Sequence, residues 1–393
     1  MALTTLRLLV AGFSENGRLH TLRTAGRVRE NQYGYLRCGR QLSTTAAVFE
    51  RWHCVGVLPD WIGIKVKLMY DVVVPLGDSR TTGIAMYRFF LLTCALGING
   101  LAFAQGTSAA RPAITGISHL TLYADDLQKS QTFYSGLLGW EQVPAGAPQP
   151  EVRFYANHLQ YIALKPAPSR GLANRFDSIG FSTSDAAQLR KFLEGHGVAV
   201  PPSIRVDEEG DKSFEVRDPE GNKVEFIQQG EHAPKAETAL IRVSTHIIHA
   251  GIVARDRARL DQFYKDILGF HLYWEGGSGP GHTDWVMMQV PEGTDWLEYM
   301  LYLPSNPSRE QLASAYHFAP GVVSVTELDT KLRQRGWIPS AKERPPLLGV
   351  DGKWQLDLFD PDGTRAEFME FLPVKEPCCS RYTGAQPSSK AEW

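Results

Sequence analysis

In "LDQFYKDILGF" (260–270), Leu260, Phe263, Tyr264, Ile267 and Leu268 recur at i, i+3, i+4, i+7 and i+8, and Gly269 follows. That spacing predicts one apolar face of an α-helix, closed by a glycine. Phe133, Tyr134, Leu137 and Leu138, closed by Gly139, repeat the pattern upstream. Each of these helices is preceded by a strand-like alternation that starts near a histidine, His249 in one case and His119 in the other. Leu189, Phe192 and Leu193, and again Leu328 and Leu332 before Gly336, predict a second pair of helices. "DPEGNKVEF" (218–226) and "DPDGTRAEF" (360–368) are turns running into strands, because Pro presets φ and Gly accepts φ > 0.

The correspondence runs the length of two segments. "HLTLYADDLQKSQTFYSGLLGW" matches "HAGIVARDRARLDQFYKDILGF" at an offset of 130, and "LQY" (159–161) matches "LEY" (297–299) at 138. The second helices match at 139 and the two turns at 142, a slow growth that small loop insertions in the second copy produce. The chain therefore carries one module twice, at 113–230 and 245–373. Each copy holds two βαβββ units over roughly 120 residues, an α+β architecture. The largely polar 231–244 joins them, and 374–393 reads as a polar tail.

One stretch has a different character. "MYRFFLLTCALGINGLAFAQG" (86–106) has a basic start at Arg88, an apolar run to Ile98 and then Ala102-Phe103-Ala104. This is the pattern of a secretory signal peptide over 86–104, too short for a comfortable membrane span. It makes Met86 the expected start, residues 1–85 an upstream mis-translation, and the mature protein secreted or periplasmic and free of the membrane. A lipoprotein reading through Cys94 fails, because Thr93 precedes it where a small Gly, Ala or Ser is needed. Past the signal only the adjacent Cys378 and Cys379 remain, and neighbouring cysteines are expected neither to bridge each other nor to bind metal. With 41 basic and 43 acidic residues, no bulk field recruits nucleic acid. A small-molecule substrate is the expected partner, and a homodimer stays open.

Four polar residues fall on predicted strands of the second copy: His249, Glu298, His317 and Glu367, spaced 49, 19 and 50 residues apart. Two imidazoles and two carboxylates suit a divalent metal, Fe²⁺, Zn²⁺, Ni²⁺ or Mn²⁺, with Glu367 or Glu298 also able to move a proton. His246 lies three residues before His249 and faces the other way on a strand. His271 and His282 flank a Gly-rich stretch and read as loop residues. The first copy places His119, Gln160, Ser178 and Glu225 at the matching positions, a degenerate set. Trp274, Trp285, Trp296, Tyr299 and Trp354 concentrate in the second copy, as core aromatics or as the wall of a ligand pocket.

A strand beginning near His, a helix of the form "FYxxxLGF" and a closing "DPxGxxxEF" resemble the vicinal oxygen chelate (VOC) superfamily. Its members include glyoxalase I, extradiol dioxygenases, and the fosfomycin and bleomycin resistance proteins. The resemblance covers about 113–373 and implies paired βαβββ units curling into an incomplete barrel that cups a divalent metal. The order His, Glu, His, Glu is similar to the ligand set of single-domain bacterial glyoxalase I. His249, His317 and Glu367 alone resemble the triad of extradiol dioxygenases. Against a ring-cleaving enzyme, Asp357 stands where that group's signature has Tyr, and no His lies in "PPLLGVDGKW". A metal enzyme of the glyoxalase or dioxygenase type is thus expected, with a bleomycin-resistance-like binding protein as the alternative. Glyoxalases exchange halves between modules, so a mixed site of His119, Gln160, His317 and Glu367 stays open too.

Overall fold

A computed structural model describes residues 110–144, 151–230 and 241–389, together with the backbone of three upstream strands. Those three, β1 (Tyr35–Gln41), β2 (Phe49–Val57) and β3 (Lys67–Pro75), form an antiparallel sheet in that order. They belong to a unit separate from 107–393. The rest of 1–85, the expected signal at 86–104 and most of the polar joining stretch (231–240) lie outside the described residues. Among those described, no helix is long and apolar enough to cross a membrane.

From Ile114 onward the chain builds two eight-stranded sheets of identical topology. The first has the order β5-β6-β7-β4-β8-β11-β10-β9. Its halves are β4 (Ile114–Ala124), α1 (Leu127–Gln131), β5 (Glu141–Pro144), β6 (Val152–Tyr155) and β7 (Tyr161–Pro166), then β8 (Phe176–Thr183), α2 (Ala186–Gly195), β9 (Arg205–Val206), β10 (Lys212–Arg217) and β11 (Lys223–Gln228). The second sheet, β13-β14-β15-β12-β16-β19-β18-β17, comes from the second copy. It runs β12 (Ile247–Val253), α3 (Arg257–Asp261), β13 (His271–Gly276), β14 (Trp285–Gln289) and β15 (Trp296–Met300). After α4 (Arg309–Ala315) come β16 (His317–Val322), α5 (Val325–Gln334), β17 (Leu347–Leu348), β18 (Trp354–Phe359) and β19 (Arg365–Glu370). The α+β expectation of two tandem modules, each of two βαβββ units curled into a half-barrel, holds.

The helix predicted over Phe133–Leu138 exists and is capped by Asp126, whose carboxylate accepts from the Gln128 and Lys129 amides. It ends in a wider turn (Thr132–Leu137), and Gly139 follows at φ +73°. Its counterpart is capped by Asp256, widens over Gln262–Ile267 and is followed by Gly269 at φ +80°. Positive φ costs glycine nothing, so both stops are read from sequence correctly.

Each FY helix also closes the other module's turn. Tyr134 Oη donates to Asp360 Oδ2 at 3.0 Å, and Tyr264 Oη donates to Asp218 Oδ2 at 3.2 Å. Those aspartates open the two DPxG turns and accept the amides of the turn itself. Burial pushes Asp360 up to about 6 against those hydrogen bonds. One apolar core runs through both modules, with Phe318 of the second packed against Tyr134 and Trp140 of the first.

One expectation fails. Cys378 and Cys379 are joined by a disulfide, which the backbone accommodates by placing Cys379 at φ +76°, a conformation rare for a side-chain-bearing residue. The polar tail packs against the second module. The Trp274 indole donates to the Cys378 carbonyl, the Thr383 amide to the Tyr273 carbonyl and the Tyr273 hydroxyl to Gln386. Polar composition hid this packing because backbone carbonyls and amides make most of it.

Candidate metal centre

Four strands at the middle of the second sheet bring His249, Glu298, His317 and Glu367 together. His249 is on β12, flanked by β15 and β16, so Gly251 faces both Glu298 and His317 across the ladders. Glu367 enters from β19, which runs parallel to β16. All four are buried, and one ligand atom from each lies within 4.8 Å of the others. His249 Nε2 is 3.0 Å from His317 Nε2, 3.3 Å from Glu367 Oε2 and 3.9 Å from Glu298 Oε2. His317 Nε2 is 3.3 Å from Glu298 Oε2 and 3.0 Å from Glu367 Oε2. Donors about 2.1 Å from a tetrahedral centre sit roughly 3.4 Å apart, so these separations fit one ion.

Proton chemistry agrees. His317 Nδ1 lies 3.0 Å from the Ala315 carbonyl, an acceptor that favours the tautomer with its lone pair on Nε2. Two imidazole nitrogens face each other with two carboxylates beside them, more acceptors than the available protons can serve. A divalent cation serves all four at once. Burial pulls the His249 pKa down, favouring the neutral ring. For His317, burial and the Arg365 charge work downward, but the two carboxylates prevail and raise it. Burial alone would raise Glu367, yet the Arg365 guanidinium and both imidazoles hold it well below the usual carboxylate range.

Packing fixes the rings. His249 stacks on Trp296 at 4.8 Å between centroids. The His317 ring fills the space over Gly251, where a Cβ would overlap it. Of the expected aromatics, Trp274, Trp296 and Tyr299 are fully buried and Trp285 and Trp354 partly so. His271 is not a loop residue: it opens β13 and meets Gln289 at 3.0 Å, whereas His282 does lie in a loop. A bulge in β12 between Ile247 and His249 breaks the alternation there; His246 stands outside the four and lies 2.7 Å from Asp295.

The first copy departs from the expected correspondence. On the ladders His119 faces Tyr161, as His249 faces Trp296, so Ala163 rather than Gln160 stands at the Glu298 position. Gln160 corresponds to Asp295, and both bind backbone between the modules. Gln160 accepts from the Ile247 amide at 2.8 Å, and Asp295 from the Ile117 amide at 2.9 Å. A mixed site containing Gln160 is therefore not what the structure forms; the four residues of one copy converge. Ser178 does occupy the His317 position, opposite Thr121, and Glu225 the Glu367 position. His119 stacks on Tyr161 and lies 3.4 Å from Glu225.

Sequence reasoning passed over two cations on the same concave face. Arg365 precedes Glu367 by two strand positions, a period-2 signal visible in "TRAEF". Lys353 is fully buried, its ammonium donating to the Phe371 carbonyl and lying 5.3 Å from the Trp296 ring. Burial pulls it down to about 7 although Asp351 opposes.

The family model of the Glyoxalase/Bleomycin resistance protein/Dioxygenase superfamily matches residues 116–226 and 246–368. The chain belongs to that superfamily. Among solved structures it is similar to the 2,3-dioxygenase LapB from Pseudomonas sp. KL28, at 16% identity and a TM-score of 0.52 over 68% of this chain and 97% of that one. It is also similar to an extradiol ring-cleaving dioxygenase from B. fuscum, at 20% and 0.51 over 70% and 75%. The Mn(II)-bound glyoxalase from Novosphingobium aromaticivorans matches at 20% and 0.50 over 66% and 83%. At these identities the likeness is one of fold.

Proposed function

We propose that the second module is a divalent-metal enzyme of the glyoxalase type, moving a proton between adjacent carbons of a small α-hydroxycarbonyl compound. The observation that carries this is the second carboxylate. Glu298 is buried beside both imidazoles, 3.3 Å from His317 and 3.9 Å from His249, the longer of the two carboxylate approaches to each ring. His249, His317 and Glu367 would hold the ion, with Glu298 as a fourth ligand able to release. When bound, the ion would polarise the substrate oxygen and acidify the neighbouring C–H. Glu298 would accept the proton from one carbon and return it to the next while the hydroxyl proton passes to the former carbonyl oxygen, so the reaction is a redox-neutral isomerisation. His317, held by the Ala315 carbonyl, and His249, held by Trp296, keep the donors in place without reorganisation. A ring-cleaving reaction is less well supported, because Asp357 and not an aromatic hydroxyl faces Glu367 across the ladder.

The test is solvent deuterium exchange into dihydroxyacetone by Mn²⁺-loaded protein and by its Glu298→Gln variant. Exchange that falls by about 10²-fold or more in the variant is expected for a general base. Oxygen uptake with catechol, and no exchange, would move the assignment to dioxygenase chemistry. Neither activity, with a small molecule bound, would favour a binding protein.

A further inference from the structure

We propose that Arg365 anchors a carboxylate on the substrate, so that the substrate is an α-hydroxycarbonyl compound that is also a small acid. This rests on the divalent-ion reading of the neighbouring residues. The guanidinium is pinned on two corners: Nε donates to the Ser314 carbonyl at 3.0 Å, and Nη1 lies 3.5 Å from Asp357 Oδ1. The third corner, Nη2, points into the cluster, 3.3 Å from Glu367 Oε2 and 3.0 and 3.2 Å from His317 Nδ1 and Nε2. Its side chain is only 13% exposed.

Arginine carries donors and no acceptor, and keeps its charge at any working pH. It therefore cannot ligate an ion, and it repels one. An ion on His317 Nε2 takes one acceptor from Nη2, and an ion on Glu367 Oε2 competes with it for the lone pairs that remain. It also leaves two positive centres one small functional group apart. Two neutral imidazoles, two carboxylates and a divalent ion sum to zero, and Arg365 with Asp357 sums to zero as well. A substrate carboxylate placed there would meet both positive centres and supply a further acceptor to Nη2.

The first module places its cations differently. Its residue at the Arg365 position is Lys223, since Arg217 faces Lys223 as Phe359 faces Arg365. Lys223 turns instead to Asp177 at 2.8 Å. The closing glutamate there is met by Arg205, 2.6 Å from Glu225 and exposed, whereas the Arg365 guanidinium is held buried beside the full His–Glu set.

The experiment uses the full chain loaded with Mn²⁺, titrated with glycolate or with neutral ethylene glycol and followed by the Mn²⁺ electron paramagnetic resonance spectrum. Glycolate should perturb the wild-type spectrum at roughly tenfold lower concentration than that of Arg365→Met, with ethylene glycol equally weak on both. Metal content should be undiminished in Arg365→Met, because a repelling charge has gone. Asp357→Asn, which frees the guanidinium, should tighten glycolate several-fold. Equal glycolate response in wild type and Arg365→Met, loss of Mn²⁺ from that variant, or unchanged or weaker glycolate binding in Asp357→Asn overturns the proposal alone. A wild type that holds no Mn²⁺ overturns the metal reading and this inference with it.

Discussion

Where the second module has Gly251, the first has Thr121, and with that difference goes whether four potential ligands converge. Gly251 leaves open the volume that the His317 ring fills. Thr121 brings a branched side chain to the same place and faces the small Ser178. Ala163 then stands where Glu298 would be. The frame survives these changes: His119 still stacks on an aromatic ring and still meets the closing glutamate. The two cups differ at a packed trio, Gly251, Glu298 and His317 in one and Thr121, Ala163 and Ser178 in the other.

Changing Gly251 to Val should break that contrast most. The added carbons displace His317, lowering metal affinity by about 10²-fold and stability by about 1–3 kcal/mol, measured by metal titration and urea unfolding. The reverse change, Thr121→Gly, should leave metal content unaltered and cost no more than about 1 kcal/mol.

The next effect separates the two closing glutamates. Burial would raise Glu225, but its hydrogen bond and charge interaction with His119, helped by Arg205, bring it down to about 2 from an ordinary 4.5. A depressed carboxylate stabilises the fold above its unfolded pKa, and that contribution is lost as pH falls through the folded value. Wild type should therefore exceed Glu225→Gln in stability by about 2 kcal/mol at pH 7, with the gap closing between pH 4.5 and about 2 in acid-unfolding curves.

The smallest effect concerns what the modules share. Tyr134→Phe and Tyr264→Phe each remove one hydroxyl from the other module's turn. Each should cost about 1 kcal/mol, and the two losses should be similar and additive in denaturant melts. A large loss at one alone would show that the two reciprocal contacts are not equivalent.

Much of this was legible in the chain. Helices with Phe-Tyr pairs and glycine stops, the DPxG turns and the period-2 placement of Glu367 all follow from local chemistry that tertiary packing leaves intact. The register of β7 was not legible. "LQY" and "LEY" look alike, but the ladders shift the match by three residues, and an odd slip on a strand exchanges faces. No alternation warned of it, because Tyr161–Leu164 is buried on both sides. The Cys378–Cys379 bridge and the packing of the tail depend on a backbone conformation and carbonyl partners that no side-chain pattern encodes. Arg365 is readable two positions from Glu367, but its residue type carries no ligand signal, since arginine has no acceptor to offer a metal.

The central claim is that one ion site exists, wholly within the second module. Elemental analysis of purified full-length protein beside His317→Ala and His119→Ala tests it most directly. One divalent ion per chain is expected in wild type and His119→Ala, and a small fraction of that in His317→Ala. Metal lost from His119→Ala and retained in His317→Ala would contradict it.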